Sequence, residues 1–210
     1  MLCLNQVSNP QTGRESHLPS WHGLLQMKSQ LGREVVKKQM PLLPIIKVPD
    51  PVLRQKAAPV TEIDAAVRQQ LDDMAETMYE APGIGLAANQ VNSLVRLVVM
   101  DCAADEEQAR LLQMVNPEII TVSEESARLE EGCLSIPGFT AEVDRPAEVT
   151  ARWLDPQGAQ QEAAFSGLEA ACIQHEIDHL NGVLFIDHLS RLKRDMIWRK
   201  VLKEARSNGD

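Results

Sequence analysis

Gln174-His175-Glu176-Ile177-Asp178-His179-Leu180-Asn181-Gly182-Val183-Leu184-Phe185 is the stretch on which the reading of this chain turns. Helical spacing runs from Gly167 to Asn181, and Gly182 is placed to serve as the C-cap. On a helix, residues four apart share a face, so His175 and His179 can reach one metal ion while Glu176 sits beside it. Ala171, Cys172, Ile173, Leu180, Val183, Leu184 and Phe185 surround the pair, which implies burial. Buried imidazoles need a partner, and one cation satisfies both.

A catalytic metal site commonly takes three protein ligands and keeps one position open. In the metzincin pattern a third histidine follows at a set distance, but here that position is Phe185, and His188 lies three residues beyond it. Fewer than 35 residues follow His179 and they are strongly basic, so a carboxylate from a later helix is a poor third ligand. The search therefore moves upstream, to Cys133 within Glu130-Glu131-Gly132-Cys133-Leu134-Ser135-Ile136-Pro137-Gly138. A lone cysteine is more often a small core residue. This one stands between a glycine that lets backbone come close and a Ser-Ile-Pro-Gly sequence read as a turn. Cys172, one turn before His175, reads instead as lining a pocket.

A third segment, Gly83-Ile84-Gly85-Leu86-Ala87-Ala88-Asn89-Gln90, contains G-x-G, yet a dinucleotide-binding reading fails. A helix precedes it where a strand is needed, and Ala88 stands at the third glycine position. Small residues here suggest close approach to an extended ligand, with Gln90 able to donate an amide N–H to a developing negative charge.

Around these motifs the chain reads as one α+β domain: short antiparallel strands packed around a buried central helix that carries H-E-x-x-H, with a C-terminal helix after it. Thr61 and Asp64 open a helix in which Ile63, Val67, Leu71, Met74 and Met78 recur at helical spacing, ending near Tyr79. Residues 94–100 read as a buried strand, and 119–122 as another after an Asn116-Pro117 turn. Residues 149–154 and 160–165 flank Asp155-Pro156-Gln157-Gly158 as a hairpin.

The 210 residues suffice for one domain, and no apolar run is long enough to span a membrane. A net charge of −9 argues against a nucleic-acid-binding body. Residues 191–210 differ, with seven basic and three acidic residues, and read as a salt-bridged helix or a docking surface for an anionic partner. Cys3, Cys102, Cys133 and Cys172 form no CxxC pair, which fits a reducing, intracellular setting. Residues 1–40 are polar and lack sustained periodicity, and they read as a flexible arm or as sequence ahead of a start at Met40. An organelle leader is the third reading, resting on Arg14, Lys28, Arg33, Lys37 and Lys38 against Glu15 and Glu34.

GIGLAANQ, EGCLSIPG and QHEIDHLNGVLF, in that order, resemble the three motifs of the peptide deformylase family, and the similarity covers about Pro41 to Leu189. Asn89 and the Gly138-Phe139 segment depart from the common pattern. The resemblance implies an N-terminal extension at 1–40, a catalytic domain over 41–189 and a basic tail over 190–210. It also implies one divalent metal ion on Cys133, His175 and His179: Fe2+ first, with Ni2+, Co2+ or Zn2+ as alternatives. The reaction it implies is hydrolysis of the formyl group from the N-terminal formylmethionine of nascent polypeptides, releasing formate. Glu176 would serve as base and then acid, while Gln90 and the Leu134 backbone N–H stabilise the oxyanion. Ile84, Gly85 and Gly132 would pair with the extended substrate backbone, and Leu129, Leu168, Ala171 and Cys172 would enclose the methionine side chain. The basic tail resembles the family's ribosome-docking tail. Neither a membrane nor a specific nucleic-acid sequence is expected as a partner, and the setting implied is the bacterial cytoplasm. A peptidase acting on internal bonds, or a binding protein that has lost turnover, are the competing classes.

Overall fold

Leu97–Met100 (β2) is buried on both faces and organises the molecule. Leu97 and Val99 face one way, Val98 and Met100 the other, as strand periodicity requires. The computed structural model describes residues 42–103 and 109–207, and side chains up to Glu204. The extension expected over 1–40 lies outside the described residues.

Leu97 and Val99 meet α1 (Ala65–Glu80), which presents Leu71, Met74, Ala75 and Met78. Asp64 starts that helix as expected, its carboxylate accepting from the Val67 N–H at 2.8 Å. On the opposite face, Val98 and Met100 meet α2 (Gly167–Leu180), which carries the two histidines. Residues from Ala170 through Ile177, then His179 and Leu180, are buried, so this helix is enclosed on nearly all sides.

The larger sheet is antiparallel and ordered β1 (Gly85–Ala87), β2, β3 (Leu112–Val122), β6 (Glu148–Leu154), β7 (Gln160–Ser166). Val149, Ala151, Trp153 and Phe165 complete the layer under α2. A separate two-stranded ribbon pairs β4 (Ser126–Cys133) with β5 (Ile136–Pro146). Its Ile136 and Val143 pack with Phe185, Ile186 and the buried Ile197 and Val201 of α3 (Arg191–Ser207). Because α2 touches both sheets, it is the joint between them.

Two sequence expectations need correction. Asn116-Pro117 is no turn: both residues lie inside β3, where the ladder to β6 shifts register between Val115 and Glu118. Asn116 adopts φ 53, and its side-chain amide bonds the Val60 N–H and C=O at 2.8 Å each, tying the bulge to the segment before α1. The Ser135-Ile136-Pro137-Gly138 turn is also displaced. The tight turn falls at Leu134 and Ser135, Cys133 pairs across it with Ile136, and Pro137 and Gly138 belong to β5. Proline is tolerated there because the ribbon has open edges. The outer face is held by polar pairs, Arg128 with Asp144 at 2.7 Å and Thr140 with Glu130 at 2.8 Å. Gly182 caps α2 with φ 76, at a place where a Cβ would run into the Arg54 backbone.

Candidate metal centre

α2 brings His175 and His179 to one face with ring centroids 4.9 Å apart. The end of β4 delivers Cys133 to the same point. The sulfur and one ring nitrogen from each histidine all lie within 4.8 Å of one another, and Cys133 Sγ is 3.1 Å from His179 Nε2. His175 gives its Nδ1 to Glu131 at 2.8 Å, which leaves the opposite ring nitrogen for the sulfur. A thiolate and two imidazoles converging this way form a donor set suited to one borderline cation, with a carboxylate behind one ring to fix its orientation. Electrostatics agree. Burial opposes charge on Cys133, but electrostatic attraction to the His179 ring and hydrogen bonds from both rings hold its thiol well below the usual range.

The centre opens into a cavity of about 440 Å³. Glu176, Gln90 and Leu134 line it, as do Ile84, Gly85 and Gly132. Leu129, Leu168, Ala171 and Cys172 also line it, so only His179 of the thirteen residues singled out lies off its wall. Glu176 is buried, which pushes its carboxyl up, and its Oε2 has no protein partner. It presses on β1 so closely that a Cβ on Gly85 would stand 2.5 Å from Glu176 Oε1 and 2.8 Å from Cys172 Sγ. Gln90 is oriented from both ends. Its Oε1 accepts from the Ala87 N–H at 2.8 Å, which turns Nε2 toward Ser135 Oγ at 3.2 Å and Cys133 Sγ at 3.7 Å.

Several residues here escaped the sequence reading. Glu131 is held by Arg145 at 2.5 Å, and Arg145 also reaches Asp178 at 2.8 Å. Burial works against Glu131, yet its bonds from His175 and Arg145 keep its carboxyl below the ordinary range. His188, rejected as a ligand from its spacing, bonds Asp178 at 2.8 Å. Phe185, which stands where a third histidine would have been, stacks on His175 at 6.1 Å. Asn89 donates to the His179 carbonyl, bracing the helix from behind. Glu131 could have been found from period two: Leu129, Glu131 and Cys133 share the inward face of β4, but only once that segment is known to be a strand.

A family model for polypeptide deformylase matches residues 42–195. The chain belongs to that family. The peptide deformylase of Rhizobium meliloti (strain 1021) is 52% identical over 170 residues, covering 81% of this chain and 98% of the relative. Among solved structures, a peptide deformylase from Legionella pneumophila is 43% identical, covers 80% of this chain and 98% of its own, and superposes with a TM-score of 0.74. A class I type b peptide deformylase from Acinetobacter baumannii, bound to Met-Ala-Ser, is 36% identical with a TM-score of 0.68, covering 71% of this chain and 99% of its own. Deformylases are metal-dependent hydrolases that remove the formyl group from N-formylmethionyl peptides, and that is the activity of this chain. Among the described residues no helix is long and apolar enough to cross a membrane.

Proposed function

We propose that Cys133, His175 and His179 hold one divalent cation, Fe2+ first and Ni2+, Co2+ or Zn2+ in its place, and that Glu176 performs the proton transfers of deformylation beside it. The observation that carries this reading is the convergence of one sulfur and two ring nitrogens within 4.8 Å, beside the cavity that Glu176 lines. Held by these three residues, such a cation would supply Lewis acidity, lowering the pKa of water toward neutrality and polarising the formyl carbonyl.

The chain's own residues supply the rest. Glu176, with an unpartnered carboxylate oxygen, takes the proton of the attacking water and returns it to the leaving methionine amine. Gln90 Nε2 and the Leu134 N–H donate to the oxygen of the tetrahedral intermediate, and the bond from Ala87 means Gln90 needs no reorientation. The peptide lies extended between the open edge of β1 and the edge of β4. The Asp101 N–H donates to the Ile84 carbonyl at 2.9 Å, so by the alternation of an antiparallel ladder Gly85 turns its N–H and C=O away from β2 and toward the substrate. Ile84 and Gly132 flank the same strip. Leu129, Leu168, Ala171 and Cys172 receive the methionine side chain. The exposed Arg191, Lys193, Arg199 and Lys200 of α3 dock the enzyme on the ribosome in the bacterial cytoplasm.

The test is release of formate from formyl-Met-Ala-Ser by anaerobically purified protein whose metal content is measured. Cys133→Ala is expected to abolish both bound metal and turnover. A Cys133→Ala protein that kept its metal would shift the site toward a different ligand set.

A further inference from the structure

Neither Cys172 nor Cys102 takes part in the proton transfers above, and both pack into one apolar cluster, where Cys102 follows β2 on the side of Met100 that meets α2. Cys172 is buried on α2, three residues before His175, with its Sγ 3.5 Å from the Ile84 carbonyl oxygen. That same oxygen accepts the Asp101 N–H at 2.9 Å, so the chain just past β2 and the Cys172 thiol converge on one atom. Cys102 is the next residue, partly buried and packed into the same apolar cluster as Cys172. The contact with Cys102, added to burial, pushes the Cys172 thiol well above its ordinary range. Cys102 also borders a second cavity of about 300 Å³, walled by Asp101, Arg110, Ser166 and Glu169, while Leu168 is shared with the catalytic cavity. One thiol therefore borders a route for small molecules, and the other lines the substrate pocket.

We propose that Cys102 and Cys172 form an oxidisable dithiol that closes to a disulfide on meeting a peroxide and thereby disables the methionine pocket. Cys102, the more exposed sulfur, attacks one oxygen of hydrogen peroxide. The O–O bond breaks, water leaves, and Cys102 becomes a sulfenic acid. Cys172 then attacks that sulfur; the S–O bond breaks, its oxygen leaves as a second water with the Cys172 proton, and the S–S bond forms. Two thiols are oxidised and one peroxide is reduced. Closing the bond draws Cys172 Sγ toward Cys102 and away from Ile84 and Gly85, moving a pocket wall by a displacement of the kind that costs roughly tenfold to a hundredfold in kcat/KM. A thiol reductant reverses it. The consequence for turnover rests on the proposed methionine pocket, whereas the disulfide does not.

Trypsin separates the three relevant cysteines, placing Cys102 on peptide 97–110, Cys133 on 129–152 and Cys172 on 153–191. Nickel-loaded full-length protein is treated with hydrogen peroxide, its remaining thiols are alkylated, and the non-reduced digest is read by mass spectrometry. The expected product is 97–110 joined to 153–191, with a raised KM for formyl-Met-Ala-Ser that dithiothreitol restores. Cys102→Ser is expected to match the parent before treatment and to lose the reversible KM change. Alkylated 97–110 and 153–191 after inactivation, or a link that includes 129–152, overturns the proposal. If untreated protein shows no turnover, the joined peptides still establish the dithiol, so failure of the pocket assignment is distinguishable from failure of the redox site.

Discussion

Gly85→Ala tests the catalytic geometry with a single methyl group. The added Cβ would stand 2.5 Å from Glu176 Oε1, 2.8 Å from Cys172 Sγ and 3.0 Å from Glu176 Cδ, where ordinary contact begins at 3.4 Å. Gly85 does not occupy the left-handed region, so alanine meets no backbone strain, and the cost falls on the neighbours. The Glu176 carboxylate, the far end of a flexible side chain, gives way more readily than the β1 backbone, and it must move by about 0.9 Å. A misplacement of about 1 Å in a catalytic group costs on the order of a hundredfold in rate, or roughly 2.7 kcal/mol of barrier. The expected variant therefore folds, binds a full equivalent of metal, and releases formate from formyl-Met-Ala-Ser with kcat/KM down about a hundredfold. Adding Glu176→Gln to Gly85→Ala is expected to cost far less than the two losses combined, because both act through one carboxylate. A metal-replete Gly85→Ala enzyme within about threefold of the parent would refute the placement of proton transfer at Glu176, since a hundredfold loss is the scale expected.

Four further measurements follow from the same structure. Glu176→Gln is expected to keep its metal and lose at least about a hundredfold in turnover, and near-parent turnover would remove Glu176 from the proton path. Arg145→Met leaves Glu131 and Asp178 facing each other's charge without their shared cation, at a cost of about 3–5 kcal/mol and a fall in Tm of roughly 10 °C by calorimetry; an unchanged Tm contradicts the buried network. Tyr79 is the chain's single tyrosine; although its ring is half exposed, partial desolvation with its 2.7 Å bond to Asp101 pushes its phenol up to about 12, so absorbance at alkaline pH is expected to show a midpoint there. Because the folded value is raised, the contact's stabilisation is whole below the unfolded value of about 10 and is lost as pH rises through about 12. A midpoint near 10 contradicts the contact. A chain beginning at Met40 is expected to retain the parent kcat/KM and a Tm within about 2 °C, and a larger fall assigns residues 1–39 to the fold.

What the sequence disclosed and what it withheld divide along physical lines. α1, α2 and the β6–β7 hairpin were legible because each announces itself locally, through a capping aspartate, a 3.6-residue apolar period, or an Asp-Pro-Gln-Gly turn. The β4–β5 ribbon was not. Its strands carry Pro137, Gly138 and many charges, and their stability comes from cross-strand pairs such as Arg128 with Asp144, which no local window contains. The candidate site shows the same division. Cys133, His175, His179, Glu176 and Gln90 were found because each belongs to a short motif with its own chemistry. Glu131 and Arg145 stand 14 positions apart and become partners only when the ribbon folds. Those are the groups that hold His175 in its orientation and join the ribbon to α2. The residues that would touch a metal or substrate are thus concentrated in motifs, while the residues that keep them in place are dispersed. Exchanging Glu131 and Arg145 for each other tests this directly, since it keeps composition and total charge but reverses the field at His175. The swapped protein is expected to bind metal at least about tenfold more weakly, the scale on which orienting partners act. Metal affinity equal to the parent would show that the three ligands are positioned by the backbone of α2 and β4 alone.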